Sequence, residues 1–344
     1  MDYRTLGRSG TAVSAYALGT MTFGSESDEQ VAHEQLDRYL AAGGNLVDTA
    51  DVYSGTESEA IIGRWLAQRG AAVRDQVVLA TKGRFPTAGH PNGVGLSRKH
   101  LAGALDASLR RLQTDSIDLY QVHAWDALTP LEETVQFFDA AVAAGKVRYW
   151  GLSNFTGWQT TKTVALAEHR GWPVPVTLQP QYNLIVRGIE AEIVPAVQDA
   201  GMGLLPWSPL AGGWLTGKYE RDQRPSGATR LGENPARGME AYDPRNSQER
   251  TWRILDVVKE VAQQLGASPA QVSLAWLAGR PAVSSVILGA RTTEQLEQCL
   301  GAADVALEAE QRQRLEDVSA PVWEDYPYGG PAVDQRARDI AYTA

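Results

Sequence analysis

Asp48, Tyr53, Lys82 and His123 are the residues whose types and spacing could do chemistry. Asp48 closes the apolar run Leu46-Val47, and Tyr53 follows five residues later in the next turn. A phenol with a pKa near ~10 is a poor acid at neutral pH unless a cation or a hydrogen-bond network stabilises its anion. The pair therefore asks for a lysine, and Lys82 ends the next strand-like run, 76–82. His123 ends the one after, 117–122. In this constellation Tyr53 is a proton donor, Lys82 lowers its pKa, Asp48 holds Lys82 through an ion pair, and His123 assists the transfer. Taken singly, Asp48 with Lys82 is a structural pair and His123 a satisfied core histidine; the four together reverse that preference. Asp51 lies nearby but outside the set and reads as a loop carboxylate.

The elements that must bring these groups together alternate. Residues 3–14 hold Gly7 and Ser9-Gly10 between short apolar stretches, the pattern of a β-hairpin. Strands are expected at 15–19, 46–47, 77–80, 117–122, 147–152, 176–179, 203–206 and 283–288. Asp28 caps a helix whose Ala32, Leu36, Tyr39 and Leu40 share one face, and Gly43-Gly44 stops it. Further helices are expected at 57–68, after Ser97 to about 111, from Pro130, and at 155–169, 190–199 and 251–265. Eight such β-then-α units mean a barrel or a doubly wound sheet. No G-x-G-x-x-G follows any strand, so the Rossmann fingerprint is missing, whereas a barrel brings all its strand ends to one mouth. The expected fold is an α/β (β/α)8 TIM barrel. It is read as a single domain over 1–344, with a hairpin at 3–14, a long arginine-bearing loop at 219–250 and an aromatic tail at 320–344 near the mouth.

The 344 residues are 43% hydrophobic, with a formal net charge of −9. An acidic surface disfavours nucleic acid and anionic membrane as partners. The single cysteine, Cys299, suits a reducing compartment, and the first residues lack an apolar signal core. A cytoplasmic enzyme is expected, with a small-molecule partner and no metal; a homo-oligomer is left open.

The phrases GTMTFG (19–24), NLVDTADVYSGTESE (45–59), LATKGR (79–84), IDLYQVHAWD (117–126), GLSNF (151–155), LQPQYN (178–183), PWSPLAGGWLTGKY (206–219) and ILGARTTEQL (287–296) resemble the aldo-keto reductase superfamily, in order, over roughly 3–318. The resemblance implies NADPH-dependent reduction of an aldehyde or ketone, Asp48, Tyr53, Lys82 and His123 being the catalytic set. It implies cofactor contacts from Thr20, Met21 and Asp48 at the first strand ends. Ser153, Asn154 and Gln179 would meet the carboxamide, and the nicotinamide would stack on Trp207. Ser208, Leu210, Gly212 and Lys218 would run along the pyrophosphate, with Arg230 closing over it. Gly289, Arg291 and Gln295 would hold the adenosine phosphate, where a guanidinium favours NADPH over NADH by gripping a 2′-phosphate. Gln298 and Cys299 stand where many relatives have Glu and Asn, which bears on the adenine contacts only. The substrate pocket would be walled by Met21, Tyr53, Phe85, His123 and Trp125, an apolar cup with one polar corner.

Two other classes compete. A regulatory subunit resembling the potassium-channel β-subunits would bind NADPH as a redox sensor. A barrel glycosidase would need two carboxylates roughly 5 to 9.5 Å apart, and the strand ends carry Lys82, His123 and Trp207 instead.

Overall fold

The apolar runs separate into strands and helices at the expected places because each strand is buried on both faces and each helix on one. The computed structural model describes residues 1–323 and 326–329, apart from 228, 235 and 237. Strands β1 (Tyr3–Thr5) and β2 (Ala12–Ser14) form an antiparallel hairpin. Eight parallel strands follow: β3 (Tyr16–Gly19), β4 (Leu46–Asp48), β5 (Val78–Gly83), β6 (Ile117–Val122), β7 (Val147–Ser153), β8 (Thr177–Gln179), β9 (Gly203–Leu204) and β10 (Val286–Gly289). They pair in the order β10-β3-β4-β5-β6-β7-β8-β9. Closure runs through a parallel bridge between Leu204 and Val283 and a bond from the Ile287 N–H to the Pro206 carbonyl (3.1 Å). This is the expected (β/α)8 barrel.

Two apolar layers stabilise it. Leu46, Val78, Ala80, Leu119, Val176, Leu205 and Ile287 fill the interior together with Leu6 and Val13 from the hairpin, which plugs one end. The plug needs Gly7: its φ is +57°, and a Cβ there would lie 1.9 Å from the Val176 carbonyl oxygen. The larger layer lies between strands and helices, and includes the fully buried Trp65, Trp150, Trp214 and Trp276. Cys299 belongs to that layer, on the inner face of the helix Thr293–Leu300.

Several boundaries differ from expectation. The strand expected at 203–206 has only two regular residues, because Pro206 lacks an N–H and the chain turns at Trp207, whose N–H reaches the Pro180 carbonyl at 3.0 Å. The last strand starts at Val286 rather than 283, after Ala282 in the left-handed region (φ +62°). Helix 190–199 begins only at Ile193, and Pro130 caps the helix Leu131–Ala143 instead of lying inside it. The long stretch 219–250 is not a structureless loop: it carries the short helices Arg230–Glu233 and Tyr242–Asn246. Of the arginines expected there, Arg237 lies outside the described residues, as does the tail beyond 329. The described part of the tail returns to the start of the helix Ile193–Asp199, where the Tyr328 hydroxyl meets the Glu192 carboxylate.

Candidate active site

The end of β4 is held by its neighbours before any functional group is placed. Thr20 takes the Asp48 carbonyl with both its N–H (3.0 Å) and its hydroxyl (3.1 Å), and the same hydroxyl lies 2.9 Å from Ser58. Thr20 is fully buried, and its side chain fixes the end of the strand. Beyond β4 the chain stays paired with β5, through Thr49 N–H to the Ala80 carbonyl (2.9 Å) and Asp51 N–H to the Lys82 carbonyl (3.1 Å). A tight turn at Tyr53–Thr56, with left-handed Ser54, then sets Tyr53 over Lys82.

The Lys82 ammonium is completely buried and donates to Asp48 Oδ2 at 2.6 Å and the Thr49 carbonyl at 2.8 Å; it lies 3.4 Å from the Tyr53 hydroxyl. Burial alone would lower its pKa, but Asp48 and Tyr53 outweigh it and leave the pKa raised, so Lys82 stays charged. The remaining Asp48 oxygen accepts from Gln179 Nε2 (2.9 Å) and Gln121 Nε2 (3.1 Å). A buried ion pair needs this completion, since the lone pairs left over would otherwise be unsatisfied. Gln121 was not among the expected site residues; its inward place on β6, one pleat before His123, was the available signal.

Tyr53 differs from expectation. Lys82 does pull its pKa down, but burial pushes harder, with Asp48 and Asp51 adding to the rise, so the phenol is less acidic than in water. It is therefore a protonated donor that gives up its proton only where negative charge builds beside it. His123 stands edge-on to Tyr53 with ring centroids 5.9 Å apart, and Phe85 backs it at 4.7 Å. Burial, then Lys82 and Arg84, drive the imidazole pKa down to about 2. A neutral ring can orient a carbonyl oxygen; it is not a source of protons at working pH. Its Nδ1 is buried without a partner.

Next to His123 lies a hydrogen-bonded shelf. Asn154, left-handed at φ +56°, donates to the His123 carbonyl (3.0 Å) and to Ser153 Oγ (3.1 Å), and accepts from the Trp207 indole at 3.1 Å. Ser153 Oγ in turn donates to the Gln179 carbonyl at 2.9 Å. Trp207 is half-buried at the rim rather than in the core. Met21 is exposed and Phe85 and Trp125 are half-buried; Trp158, outside the expected set, is exposed and lies edge-on to Trp125 at 5.4 Å.

Further along the rim, Lys218, Arg230 and Arg291 form a cationic group. Burial and the two guanidinium charges lower the Lys218 pKa, and Lys218 has no carboxylate partner among the described residues. Arg230 Nε is buried and unpartnered. The chain's own carboxylates sit on this group: Glu233 on Arg291 at 2.6 Å, and Glu240 against Ser208 Oγ and 4.0 Å from Arg230. Gly212 is left-handed, and a Cβ there would lie 2.3 Å from Glu240 Oε2. Leu210 borders the same turn, Gly289 is exposed at the end of β10, and Gln295 Oε1 accepts from the Arg291 N–H at 3.0 Å. The donor set suits phosphate groups, since anions already occupy it. Gln298 is exposed and Cys299 buried, so neither adds a charge there.

One residue carries more than its sequence reading. Asp51 lies in the turn after β4, as expected of a loop carboxylate, but it is fully buried, neither oxygen meets a side-chain donor, and burial with the nearby Glu59 pushes its pKa up to about 7.

Comparison with known proteins agrees with this geometry. The aldo/keto reductase family profile matches residues 16–320. An "uncharacterized oxidoreductase YrpG" of Bacillus subtilis is 38% identical over 92% of this chain and 96% of its own length. A "probable voltage-gated potassium channel subunit beta" of rice (Oryza sativa subsp. japonica) is also 38% identical, over 89% of this chain and 92% of its own. An "L-glyceraldehyde 3-phosphate reductase" of Escherichia coli is 34% identical over 87% and 86%. Proteins of this type are oxidoreductases that generally use NAD(P)H and act on small molecules. Among the described residues no helix is long and apolar enough to cross a membrane. An eight-stranded barrel with a buried Asp–Lys–Tyr contact at its mouth, matched along most of its length, leaves one conclusion: the chain belongs to the aldo/keto reductase family.

Proposed function

We propose that this chain, acting as one barrel domain, reduces aldehydes or ketones to alcohols with NADPH. The observation that carries the reading is the Lys82 ammonium, which touches both Asp48 and the Tyr53 hydroxyl while His123 stands across the same phenol. The cofactor, when bound, supplies a hydride to the carbonyl carbon. Tyr53 gives its proton to the carbonyl oxygen as charge builds there, and Lys82 stabilises the phenolate left behind. His123, neutral, orients the oxygen. Ser153, Asn154 and Gln179 border the place for the carboxamide, and Trp207 offers the stacking face. Ser208, Leu210, Gly212, Lys218 and Arg230 would follow the pyrophosphate. Gly289, Arg291 and Gln295 would hold the 2′-phosphate, which is the reason to prefer NADPH to NADH.

Tyr53→Phe is the test. It should bind NADPH as the parent does, by fluorescence titration, while kcat for an aldehyde such as 4-nitrobenzaldehyde falls about 100-fold or more, the usual contribution of a general acid. An unchanged kcat would remove Tyr53 from its role. Running the parent with NADH in parallel checks the cofactor preference. The rice relative's name favours a second reading, a redox-sensing subunit that binds NADPH for regulation. Negligible turnover across a carbonyl panel, with tight NADPH binding, would support that reading instead.

A further inference from the structure

Resting on the reductase reading, we infer that Arg84 is an anion anchor, and that the substrates this pocket prefers carry a carboxylate or phosphate beyond their carbonyl. Arg84 follows β5 directly, two residues after Lys82, and is only partly exposed. Its Nε is buried without a hydrogen-bond partner, and its one side-chain hydrogen bond among the described residues is long, from Nη2 to the Trp125 carbonyl at 3.4 Å. No carboxylate lies within ion-pair distance of it among the described residues. Asp126, whose pKa the Arg84 charge helps to lower, makes no ion pair with it and is engaged instead by the Leu96 N–H (2.9 Å), the Leu128 N–H (3.0 Å) and the Thr129 hydroxyl (2.7 Å). The other cation at this end of β5, Lys82, is neutralised by Asp48.

A partly desolvated guanidinium with unused donors is costly unless something supplies the missing acceptors. Its position says what that would be. The Arg84 guanidinium lies over the Phe85 ring at 4.9 Å, and Phe85 meets His123 edge-on at 4.7 Å. The cation is thus one aromatic ring away from the imidazole that faces the carbonyl. A substrate with its carbonyl at His123 and Tyr53 would lay a short apolar or aromatic spacer on Phe85 and Trp125, and bring an anionic group to the Arg84 fork. Carboxylate and phosphate both accept two parallel N–H bonds from that fork.

The test compares 4-carboxybenzaldehyde with methyl 4-formylbenzoate, its neutral ester, for the parent, Arg84→Met and Arg84→Lys. Arg84→Met should raise KM for the acid about tenfold or more, the scale of one charge-assisted contact, and leave kcat/KM for the ester within about twofold. Arg84→Lys should recover part of the loss, and unchanged ester turnover certifies that the variants are folded. Glyceraldehyde 3-phosphate beside glyceraldehyde forms a second arm: a KM effect on the phosphorylated member alone assigns the anion as phosphate, and one on the benzoate pair assigns it as carboxylate. Equal effects of Arg84→Met on charged and neutral members of both pairs overturn the anchor and leave the reductase reading standing. A parent enzyme that reduces none of the four overturns both.

Discussion

At the scale of single residues, the buried ionisable groups around Lys82 do different work. Asp48 and Lys82 satisfy one another, His123 is kept neutral, and Asp51 is left without a side-chain donor. Asp51 faces Glu59, which pushes its pKa up, and Arg111 and Lys82, which pull it down less than burial raises it. The consequence for stability has a definite sign. In the unfolded chain Asp51 loses its proton near 3.8; in the fold it keeps it to about 7. Between those values the folded state holds the extra proton, so stability falls as pH rises and levels off above 7, for a loss of a few kcal/mol, roughly. Asp51→Asn should flatten that slope: urea midpoints at pH 5 and pH 8 should lie closer together than in the parent. An unchanged difference between the two midpoints would show that Asp51 ionises normally. Sequence pattern pointed to Asp48, Tyr53, Lys82 and His123 because each sits at or just beyond a strand end in an ordered series. It missed the burial of Asp51 because that depends on the turn's path back over β5, which no local pattern encodes.

At the scale of elements, the stretch 219–250 differs most from its reading as a loop. Its short helix Arg230–Glu233 begins at Thr229, whose hydroxyl accepts from the Gly232 N–H at 2.9 Å, and it places Glu233 on Arg291. An expected phosphate ligand is thus covered by a carboxylate from the element expected to close over the cofactor. NADPH bound as proposed would have to replace that carboxylate, so Glu233→Gln should tighten NADPH about two- to fivefold, the range for a partly exposed ion pair. Fluorescence titration reads it; equal or weaker binding would show that Glu233 does not compete. The same stretch explains what sequence periodicity misses here. Helices of four or five residues have too few turns to show a face, and their ends are fixed by side-chain caps and ion pairs to distant segments. The longer helices were legible for the opposite reason: Asp28 and Ser97 cap them from within the sequence, and their apolar faces repeat over several turns.

At the scale of the whole molecule, the order of eight strands and the hairpin were readable because parallel strands covered on both faces are continuous apolar runs. Closure of the ring was less so, since it depends on Leu204 and Val283, more than seventy residues apart, meeting across two strands shortened by Pro206 and a left-handed Ala282. The lone thiol turns this architecture into a measuring device. Cys299 is buried on the helix that follows Arg291, and burial pushes its pKa up to about 11. A thiolate is the reactive form, so a folded chain should resist a disulfide-exchange reagent at pH 8, with modification limited by opening of that helix. Saturating NADP+ should slow the labelling further if its phosphate grips Arg291 and Gln295, and NAD+ should slow it less; identical rates with and without nucleotide would uncouple the helix from the cofactor. The protein thus carries, at its single native thiol, a stopwatch for the last strand-and-helix unit of its own barrel.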